Sequence, residues 1–289
     1  MQILILCVVL NALIGVIFKL YGRYNIQVFQ AIVVNYLTCV ATAGVVMGKI
    51  PIPSDLFSKI WFPYALGLGI VFILTFNLMA LTVRHFGVVV ASVFQKMSLI
   101  APALIAILIY SEPSGWLKWT GIALALISVV LLSYQKNVSH KSSSEKYIFL
   151  LPVMTFLLSC VIDSSLYLLQ YHTIGQEGDP EFVASLFLSA GLTGLLFLLW
   201  KISQGKATFT KPNVIAGIAL GIPNFFSIYL LILVLEQGWG ASVVFPVNNV
   251  GVLLLSGIFG IVLFKERPDI FKWSGYVLAI CAILFIVAS

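Results

Sequence analysis

An internal duplication of a pair of apolar segments is the feature that most constrains the fold of this chain. Three short motifs recur in the same order in both copies: Ala91-Ser92, Glu112-Pro113 and Lys118-Trp119-Thr120-Gly121 in the first, and Ala241-Ser242, Glu266-Arg267-Pro268 and Lys272-Trp273-Ser274-Gly275 in the second. The corresponding Ser, Glu, Trp and Gly residues lie 150 to 154 positions apart, and a spread of four residues is about one helical turn. Each copy therefore predicts two membrane-spanning helices joined by a short charged hairpin.

The composition places the whole chain in a lipid bilayer. Hydrophobic residues make up 61% of the 289 positions, charged residues make up 9%, and the mean hydropathy is +1.10. Soluble domains contain about 25% charged residues, whereas a bilayer core needs roughly 20 apolar residues per helix. Ten such segments fit: 1–20, 27–47, 61–82, 87–110, 115–134, 147–170, 180–200, 213–235, 240–264 and 270–288. The sequence thus predicts an all-α membrane protein with ten transmembrane helices.

A polar linker at 135–146, rich in Ser and Lys, divides the chain into two five-helix halves, 1–134 and 147–289. Weaker echoes extend the duplication over both halves, such as Phe29-Gln30-Ala31 and Phe182-Val183-Ala184. Because each half has an odd number of helices, the second half must enter the membrane from the opposite side. Inverted repeats of this kind are typical of secondary transporters, whose substrate site lies near the membrane midplane between the repeats.

The duplicated motifs resemble the EamA domain of the drug/metabolite transporter superfamily, with Ala-Ser early in a helix, Glu-Pro or Glu-x-Pro at its end and a following Trp-x-Gly. The resemblance covers essentially the whole chain as two domains. It implies ten helices, alternating access, and export or exchange of a small polar metabolite, amino acids among them. Family members often carry a proline near the middle of the fourth and ninth helices, whereas Pro102 and Pro246 occupy non-equivalent positions here.

The sequence leaves the membrane orientation open. Most basic residues lie in loops after the odd-numbered helices, whereas the other loops contain only Lys49, Lys59 and Lys118. The positive-inside rule then predicts both termini outside the cytoplasm, although the resemblance to EamA implies cytoplasmic termini. We expect a multi-pass protein of the cytoplasmic (inner) membrane, a monomer or a homodimer, with a retained first helix rather than a cleaved signal peptide.

Two charged residues, Lys96 and Asp163, lie deep inside predicted helices. A charge near the midplane costs about 2.5–3.5 kcal/mol on insertion scales, so each one requires a physical reason. Lys96 could bind an anionic substrate group, and Asp163 could bind a substrate amine or a coupled proton. Alternatively, the two form an ion pair with each other, or Lys96 extends along its stem to the interface. Both have polar neighbours: Ser92, Gln95 and Ser98 around Lys96, and Ser159 and Tyr167 one turn on either side of Asp163.

Asparagines inside predicted spans form a second group of candidate residues. Five of them are predicted to line the substrate cavity together with Gln95 and Tyr167: Asn11, Asn77, Asn224, Asn248 and Asn249. Asn11 matches Asp163 at an offset of 152, and Ser242, Asn249 and Ser256 recur every seven residues as one polar stripe. The alternative for any single asparagine is a hydrogen bond that holds two helices together.

Other motif residues have structural explanations. Glu112 and Glu266 end the fourth and ninth predicted helices and are expected to cap helices or support hairpins. The four cysteines lie inside predicted spans, where a free thiol behaves as a small apolar group. Close contacts between helices explain four glycines: Gly67, Gly69, Gly217 and Gly221.

Several other classes of protein fit the sequence less well. His85, His140 and His172 fall in connections without metal-binding spacing, so we expect no enzyme, metal or cofactor. The sequence shows neither the rings of charged residues nor the selectivity-filter glycines that are typical of channels. No run of basic residues interleaved with aromatic residues predicts binding to nucleic acid. A scaffold would leave Lys96 and Asp163 unexplained. A flippase for a lipid-linked carrier stays the open alternative to a solute transporter. The transporter would bind a small molecule and, if it is proton-coupled, protons.

Overall fold

The computed structural model describes residues 2–86, 88–133, 150–172, 180–205, 210–265 and 268–289. Over these ranges the chain forms eleven α-helices, two 3₁₀ turns and one π-helical turn, and it contains no β-strand. The predicted linker 135–146 and the hairpin residues Glu266 and Arg267 lie outside the described residues. The predicted all-α class is confirmed.

The helices follow the predicted spans closely. Their bounds are α1 Gln2–Arg23, α2 Val28–Met47, α3 Phe62–Phe86, α4 Val88–Lys96, α5 Ile100–Leu104, α6 Trp116–Ser133, α7 Leu150–Tyr171, α8 Pro180–Ser203, α9 Lys211–Glu236, α10 Ala241–Phe264 and α11 Ile270–Val287. The 3₁₀ turns are Leu56–Ser58 and Met97–Leu99, and the π turn is Ile105–Ile109. The bounds differ from the predicted ones by four residues at most.

Eight of these helices are long and apolar enough to cross a bilayer, namely α1, α2, α3 and α7 to α11. Two shorter apolar helical stretches, Val93–Ile109 and Trp116–Leu132, fall on the fourth and fifth predicted spans. Many large apolar side chains on the outside of the molecule are exposed, for example Leu196 at 69% and Val262 at 67%. A lipid environment explains this exposure, because soluble proteins rarely expose so many apolar side chains. The chain is a multi-pass membrane protein.

The fourth predicted span is an interrupted helix. α4 ends at Lys96, a 3₁₀ turn follows, α5 resumes at Ile100, and the π turn completes the stretch. Pro102 has no backbone N–H, so the carbonyl of Ser98 cannot receive the usual helical hydrogen bond. The Pro102 ring also crowds that carbonyl, which favours a change of helical geometry just after Lys96.

Glycines allow two pairs of helices to approach closely. A Cβ on Gly217 would lie 2.6 Å from the Ala31 carbonyl, and a Cβ on Gly221 would lie 2.7 Å from the Asn35 carbonyl, so α9 packs tightly against α2. Gly69 of α3 lies equally close to α8. The predicted contact role is thus confirmed for these glycines. It is wrong for Gly67, which has nothing within 4 Å of its Cβ position and faces outward.

The glycine of each Trp-x-Gly motif joins α6 to α11. A Cβ on Gly121 would lie 2.6 Å from the Ile286 side chain and 3.2 Å from the Ala282 carbonyl. Gly275 lies correspondingly close to the backbone of Leu132. The two copies of the motif therefore pack the last helix of each half against the last helix of the other.

Two pairs of parallel helices meet in the middle of the molecule. α1 runs alongside α10, since Val8 contacts Gly251 and Gly15 lies next to Ser256. α7 runs alongside the interrupted helix, since Ser98 is bonded to Asp163 and Tyr110 packs on Tyr167 farther along the same two segments. Each pair contains one helix from each half. The predicted charged residues lie where these two pairs meet.

Candidate functional site

Lys96 and Asn249 meet between the two halves. Lys96 is the last residue of α4, and its Nζ donates a hydrogen bond to Oδ1 of Asn249 at 3.2 Å. The two residues are 153 positions apart, within the range of offsets that separates the two copies of the predicted repeat. Asn249 is buried in α10, with 6% of its surface exposed. The predicted cation and the predicted amide thus form one site.

Asp163 is bonded to Ser98, two residues after Lys96, rather than to Lys96 itself. Its Oδ2 lies 2.6 Å from the hydroxyl of Ser98, which also lies 2.6 Å from the backbone carbonyl of Gln95. Within the described residues no salt bridge connects Lys96 to Asp163, so the direct ion pair that the sequence left open is not formed in this structure. The described ion pairs connect Lys49 to Glu181 and Lys59 to Asp55 instead.

The amide-rich side of the site includes Cys7. Its thiol lies 3.2 Å from the carbonyl of Ser227 and 3.6 Å from Oδ1 of Asn248, within donating distance of both. Asn11 donates from Nδ2 to the Cys7 carbonyl at 3.1 Å. We define the central polar cluster as the residues of these three groups of contacts: Cys7, Asn11, Lys96, Ser98, Asp163, Asn248 and Asn249. The expectation that Cys7 is only an apolar filler is wrong, because its thiol serves as a polar contact.

Two predicted residues are bonded elsewhere. Nδ2 of Asn224 donates to Oδ1 of Asn35 at 3.1 Å, which holds α9 against α2. Nδ2 of Asn77 donates to the carbonyl of Ile73 on its own helix at 2.7 Å. Asn77 borders a small cavity lined by Phe29, Ile32, Ile73 and Phe76. Neither amide belongs to the central polar cluster.

The predicted polar face of α7 contains two unsatisfied hydroxyls. Oγ of Ser159 and the OH of Tyr167 are buried and make no hydrogen bond to any part of the chain that the structure describes. They flank Asp163 by one helical turn on either side. A buried hydroxyl without a partner costs about 1–3 kcal/mol, so this face has unused capacity to bind a polar group. Gln95 contributes its backbone carbonyl, and its side chain is partly buried.

A second polar network lies at the start of α10. The carboxylate of Glu112 accepts hydrogen bonds from the backbone N–H of Ala241 at 2.8 Å and of Ser242 at 3.2 Å, and from the Ser242 hydroxyl. Gly240 makes room, since a Cβ there would lie 2.5 Å from the carboxylate. Glu112 therefore caps a helix, as predicted, but the helix belongs to the other half of the chain.

Lys118 is part of this network, so its assignment to a loop is wrong. It lies in the first turn of α6 with 6% of its surface exposed. Its Nζ donates to the Pro113 carbonyl at 2.6 Å and to the Ser242 hydroxyl at 3.2 Å. The neighbouring carboxylate and carbonyl compensate the charge that burial would otherwise penalise. The described residues contain no group of three or more His, Cys, Asp or Glu that could hold a metal.

Comparison with known proteins relates the second half of the chain to a known family. Residues 150–288 match the model of the EamA-like transporter family, which confirms the resemblance seen in the duplicated motifs. An uncharacterized protein of Haemophilus influenzae is 27% identical over 288 residues, which cover 98% of this chain and 96% of that protein. A protein of known crystal structure has the same fold, with a TM-score of 0.79, 12% identity and coverage of 99% of this chain and 96% of that one.

The chain is thus a membrane protein with an EamA-like domain. This family indicates a transporter of the drug/metabolite type, which lies in the lipid bilayer and acts on small molecules. The match is consistent with the expectation that the chain is not an enzyme.

Proposed function

We propose that this protein is a secondary active transporter of a small polar metabolite, such as an amino acid, in the cytoplasmic membrane. In this proposal ten transmembrane helices form two inverted five-helix repeats, 1–134 and 147–289, joined by the linker 135–146. The repeats exchange conformations, so that one central site opens alternately to the two sides. The eight long apolar helices and the two shorter ones agree with this count.

The observation that carries the proposal is the contact of Lys96 with a neutral partner. Lys96 lies within an apolar helix, and its Nζ is bonded to an amide oxygen instead of a carboxylate. A buried cation is expensive unless an anion compensates it. The anionic group of a solute, such as a carboxylate or phosphate, would provide that compensation. We therefore assign Lys96 to the anionic end of the substrate.

The interruption of the helix at Lys96 supports the same assignment. In many transporters, discontinuous helices near the midplane supply the residues that bind substrate. Here α4 changes to a 3₁₀ turn directly after Lys96, and a π turn follows at Ile105–Ile109. Such irregular helical turns frequently occur at functional sites.

The remaining residues of the cluster provide the polar lining. Asn11, Asn248 and Asn249 offer amides to a solute, while Ser159 and Tyr167 offer unsatisfied hydroxyls beside Asp163. Asp163 binds either a substrate amine or a proton. Lys96 and Asn249 come from the fourth and ninth predicted spans, one in each half, so their contact supports a central site between the two repeats.

Uptake into proteoliposomes tests this function. The panel contains labelled amino acids, organic acids, sugars and phosphorylated metabolites, each with and without a pH gradient. We expect saturable uptake of one anionic or zwitterionic class. In Lys96→Gln uptake falls roughly tenfold or more, because a hydrogen bond to a charged group contributes about 1.5–3 kcal/mol.

Matched variants locate the site. Lys59→Gln removes a partly exposed lysine at a helix end and should leave uptake unchanged. Asn249→Ala should reduce uptake, whereas Asn77→Ala should not, because Asn77 lies outside the central polar cluster. Equal uptake by Lys96→Gln and the unaltered protein would refute the assignment. Movement of a labelled lipid-linked carrier, with no uptake of any solute, would identify a flippase.

A further inference from the structure

The hydroxyl of Ser98 lies between a carboxylate oxygen and a backbone carbonyl oxygen, and both of these normally accept hydrogen bonds rather than donate them. Its Oγ is 2.6 Å from Oδ2 of Asp163 and 2.6 Å from the carbonyl oxygen of Gln95. Separations of 2.5–3.0 Å between oxygens are those of O–H···O hydrogen bonds, so each of the two contacts requires a proton. A serine hydroxyl supplies one proton, and a carbonyl supplies none.

The second proton has one available source, which is the Asp163 carboxyl. If Asp163 is ionised, Ser98 donates to one acceptor, and its lone pairs then face the other acceptor at 2.6 Å without a proton between them. If Asp163 is protonated, it donates to Ser98, and Ser98 donates to Gln95. Both contacts are then ordinary hydrogen bonds. The positions of the three oxygens therefore fit the neutral acid better than the carboxylate.

We propose that Asp163 is the proton-binding residue of this protein, that it is protonated in this conformation, and that its proton and an anionic solute bind together. The inference deepens the proposed function and rests on it for the solute. The protonation of Asp163 itself rests only on the Asp163–Ser98–Gln95 geometry. The step is simple acid–base chemistry: the carboxylate takes up one proton from the aqueous side to which the site is open and releases it on the other.

The partner of Lys96 gives the direction of the coupling. With Asp163 neutral, Lys96 has no carboxylate to pair with and bonds to the amide of Asn249, which leaves its charge available to a solute anion. When Asp163 loses its proton, a carboxylate near Lys96 competes with that anion. Proton and anion therefore favour each other at this site, and by linkage the preference is reciprocal. Such positive coupling corresponds to cotransport rather than to exchange of proton for solute.

Other titratable groups around Asp163 do not supply the missing proton. Lys96 is the charged group that interacts with Asp163 from α4, and Cys160 interacts with it from its own helix. Cys7 of α1 interacts with Lys96 and donates within the amide-rich side of the cluster. None of these groups is bonded to Ser98 in the described structure. The missing proton is thus assigned to the Asp163 carboxyl, at the end of the hydrogen-bonded series Asp163, Ser98 and Gln95.

Infrared difference spectroscopy tests the protonation without any substrate. The protein in lipid vesicles near neutral pH should show the carbonyl stretch of a protonated carboxyl group, and this band should disappear in Asp163→Asn. It should shift in Ser98→Ala, which removes the hydrogen-bond acceptor but retains the acid. Asp55→Asn, at an exposed ion pair, is the control and should leave the band in place. Absence of the band, or its persistence unchanged in Asp163→Asn, would overturn the assignment.

Solute uptake tests the direction of coupling. An inward proton gradient should accelerate uptake of the anionic solute in the unaltered protein, and an outward gradient should slow it. Asn is a fixed mimic of the neutral acid, so the uptake that remains in Asp163→Asn should no longer respond to the gradient. An Asp163→Asn variant as responsive to the gradient as the unaltered protein would overturn the coupling. Because the infrared band needs no solute, a failure of the transport proposal is distinguishable from a failure of this one.

Discussion

Lys96 shows how a single charge in an apolar helix can stay available to a ligand. Its Nζ bonds to the Asn249 amide oxygen at 3.2 Å, and the acid nearest to it is satisfied by Ser98. Each member of the cluster has a polar partner, but the cation has no direct anionic one. This arrangement differs from a structural ion pair, in which the two charges would compensate each other and leave nothing for a ligand.

Replacing Asn249, the neutral partner of Lys96, by an acid should prevent Lys96 from binding the anionic solute. In Asn249→Asp a carboxylate replaces the amide oxygen beside Lys96, and a direct ion pair forms. We expect uptake of the anionic solute to fall roughly tenfold or more, because the new carboxylate competes for the same charge. Thermal unfolding in detergent should occur at the same temperature or a higher one. The measurement is uptake and melting temperature on the same preparations.

Asn224→Asp is the matched control for this prediction. Asn224 donates to the amide oxygen of Asn35, so a carboxylate there would face another acceptor in a buried contact. We expect a loss of about 1–3 kcal/mol and a lower melting temperature. If Asn249→Asp lowers the melting temperature as much as Asn224→Asp and leaves uptake unchanged, Lys96 does not pair with position 249.

Sequence alone predicts the charged residues of the site but not the small ones. Lys96 and Asp163 stand out because a charge at membrane depth needs a reason, and Asn249 stands out by its place in a polar stripe. Cys7 carries no such signal, and Ser98 is visible only as a polar neighbour of Lys96, because a thiol or a hydroxyl is tolerated in any helix. Their roles arise when helices distant in sequence approach each other. The sequence wrongly predicts a loop position for Lys118 for the same reason, because its partner Ser242 lies in the other half.

At the scale of the elements, the start of α10 depends on a side chain from the first half. Backbone N–H groups in the first turn of a helix have no helical partner, and the Glu112 carboxylate accepts two of them. Its negative charge is also favourable at the positive end of the helix dipole. The cap therefore joins the two halves at one end of the molecule.

Glu112→Gln should weaken this cap. The amide keeps one acceptor but turns a donor toward N–H groups or the Ser242 hydroxyl, and the charge is lost. We expect a loss of about 1–2 kcal/mol, or a fall of several degrees in melting temperature. Asp55→Asn, which removes an exposed i,i+4 ion pair, should change the melting temperature by less than this. Equal melting temperatures for Glu112→Gln and the unaltered protein would contradict the capping role.

Two glycines on α3 provide a matched test of helix packing. Gly69→Val places a side chain 2.5 Å from the Ser189 Cβ and 2.6 Å from the Leu186 carbonyl, so α3 must move away from α8. Overpacking of this kind costs about 1–3 kcal/mol, and we expect a lower melting temperature or poor insertion. Gly67→Val, two residues away, has nothing within 4 Å and should be tolerated. Similar behaviour of the two variants would show that α3 does not approach α8 as described.

The sequence predicts the elements well because each spanning helix must satisfy its own backbone hydrogen bonds within the bilayer. Hydropathy alone therefore gives the spans to within four residues. It does not reveal the break after Lys96, although Pro102 is a visible cause of it. Gly67 and Gly69 likewise look equivalent in sequence, because the side of a helix that contacts a neighbour depends on its rotation in the bundle.

At the scale of the whole molecule, the duplication predicts which helices correspond, but it does not predict how the halves touch. The observed contacts join matching helices across the halves: α6 to α11 through the motif glycines, and Lys96 to Asn249 at the centre. The match of residues 150–288 to the EamA-like transporter family agrees with the motifs from which the duplication was recognised. The direction in which the chain crosses the membrane depends on its surroundings during insertion, and the loop charges and the family resemblance predict opposite orientations.

The most direct test of the account is the accessibility of position 249 from the two sides of the membrane. Asn249→Cys is made in a background in which Cys7, Cys39, Cys160 and Cys281 are replaced by serine, and vesicles receive a small membrane-impermeant thiol reagent from one side at a time. Leu196→Cys, on the lipid-facing surface, is the control and should not react. We predict labelling from either side and protection by the transported solute in both cases. Labelling from one side alone, or from neither, would contradict a central site that opens alternately to both sides.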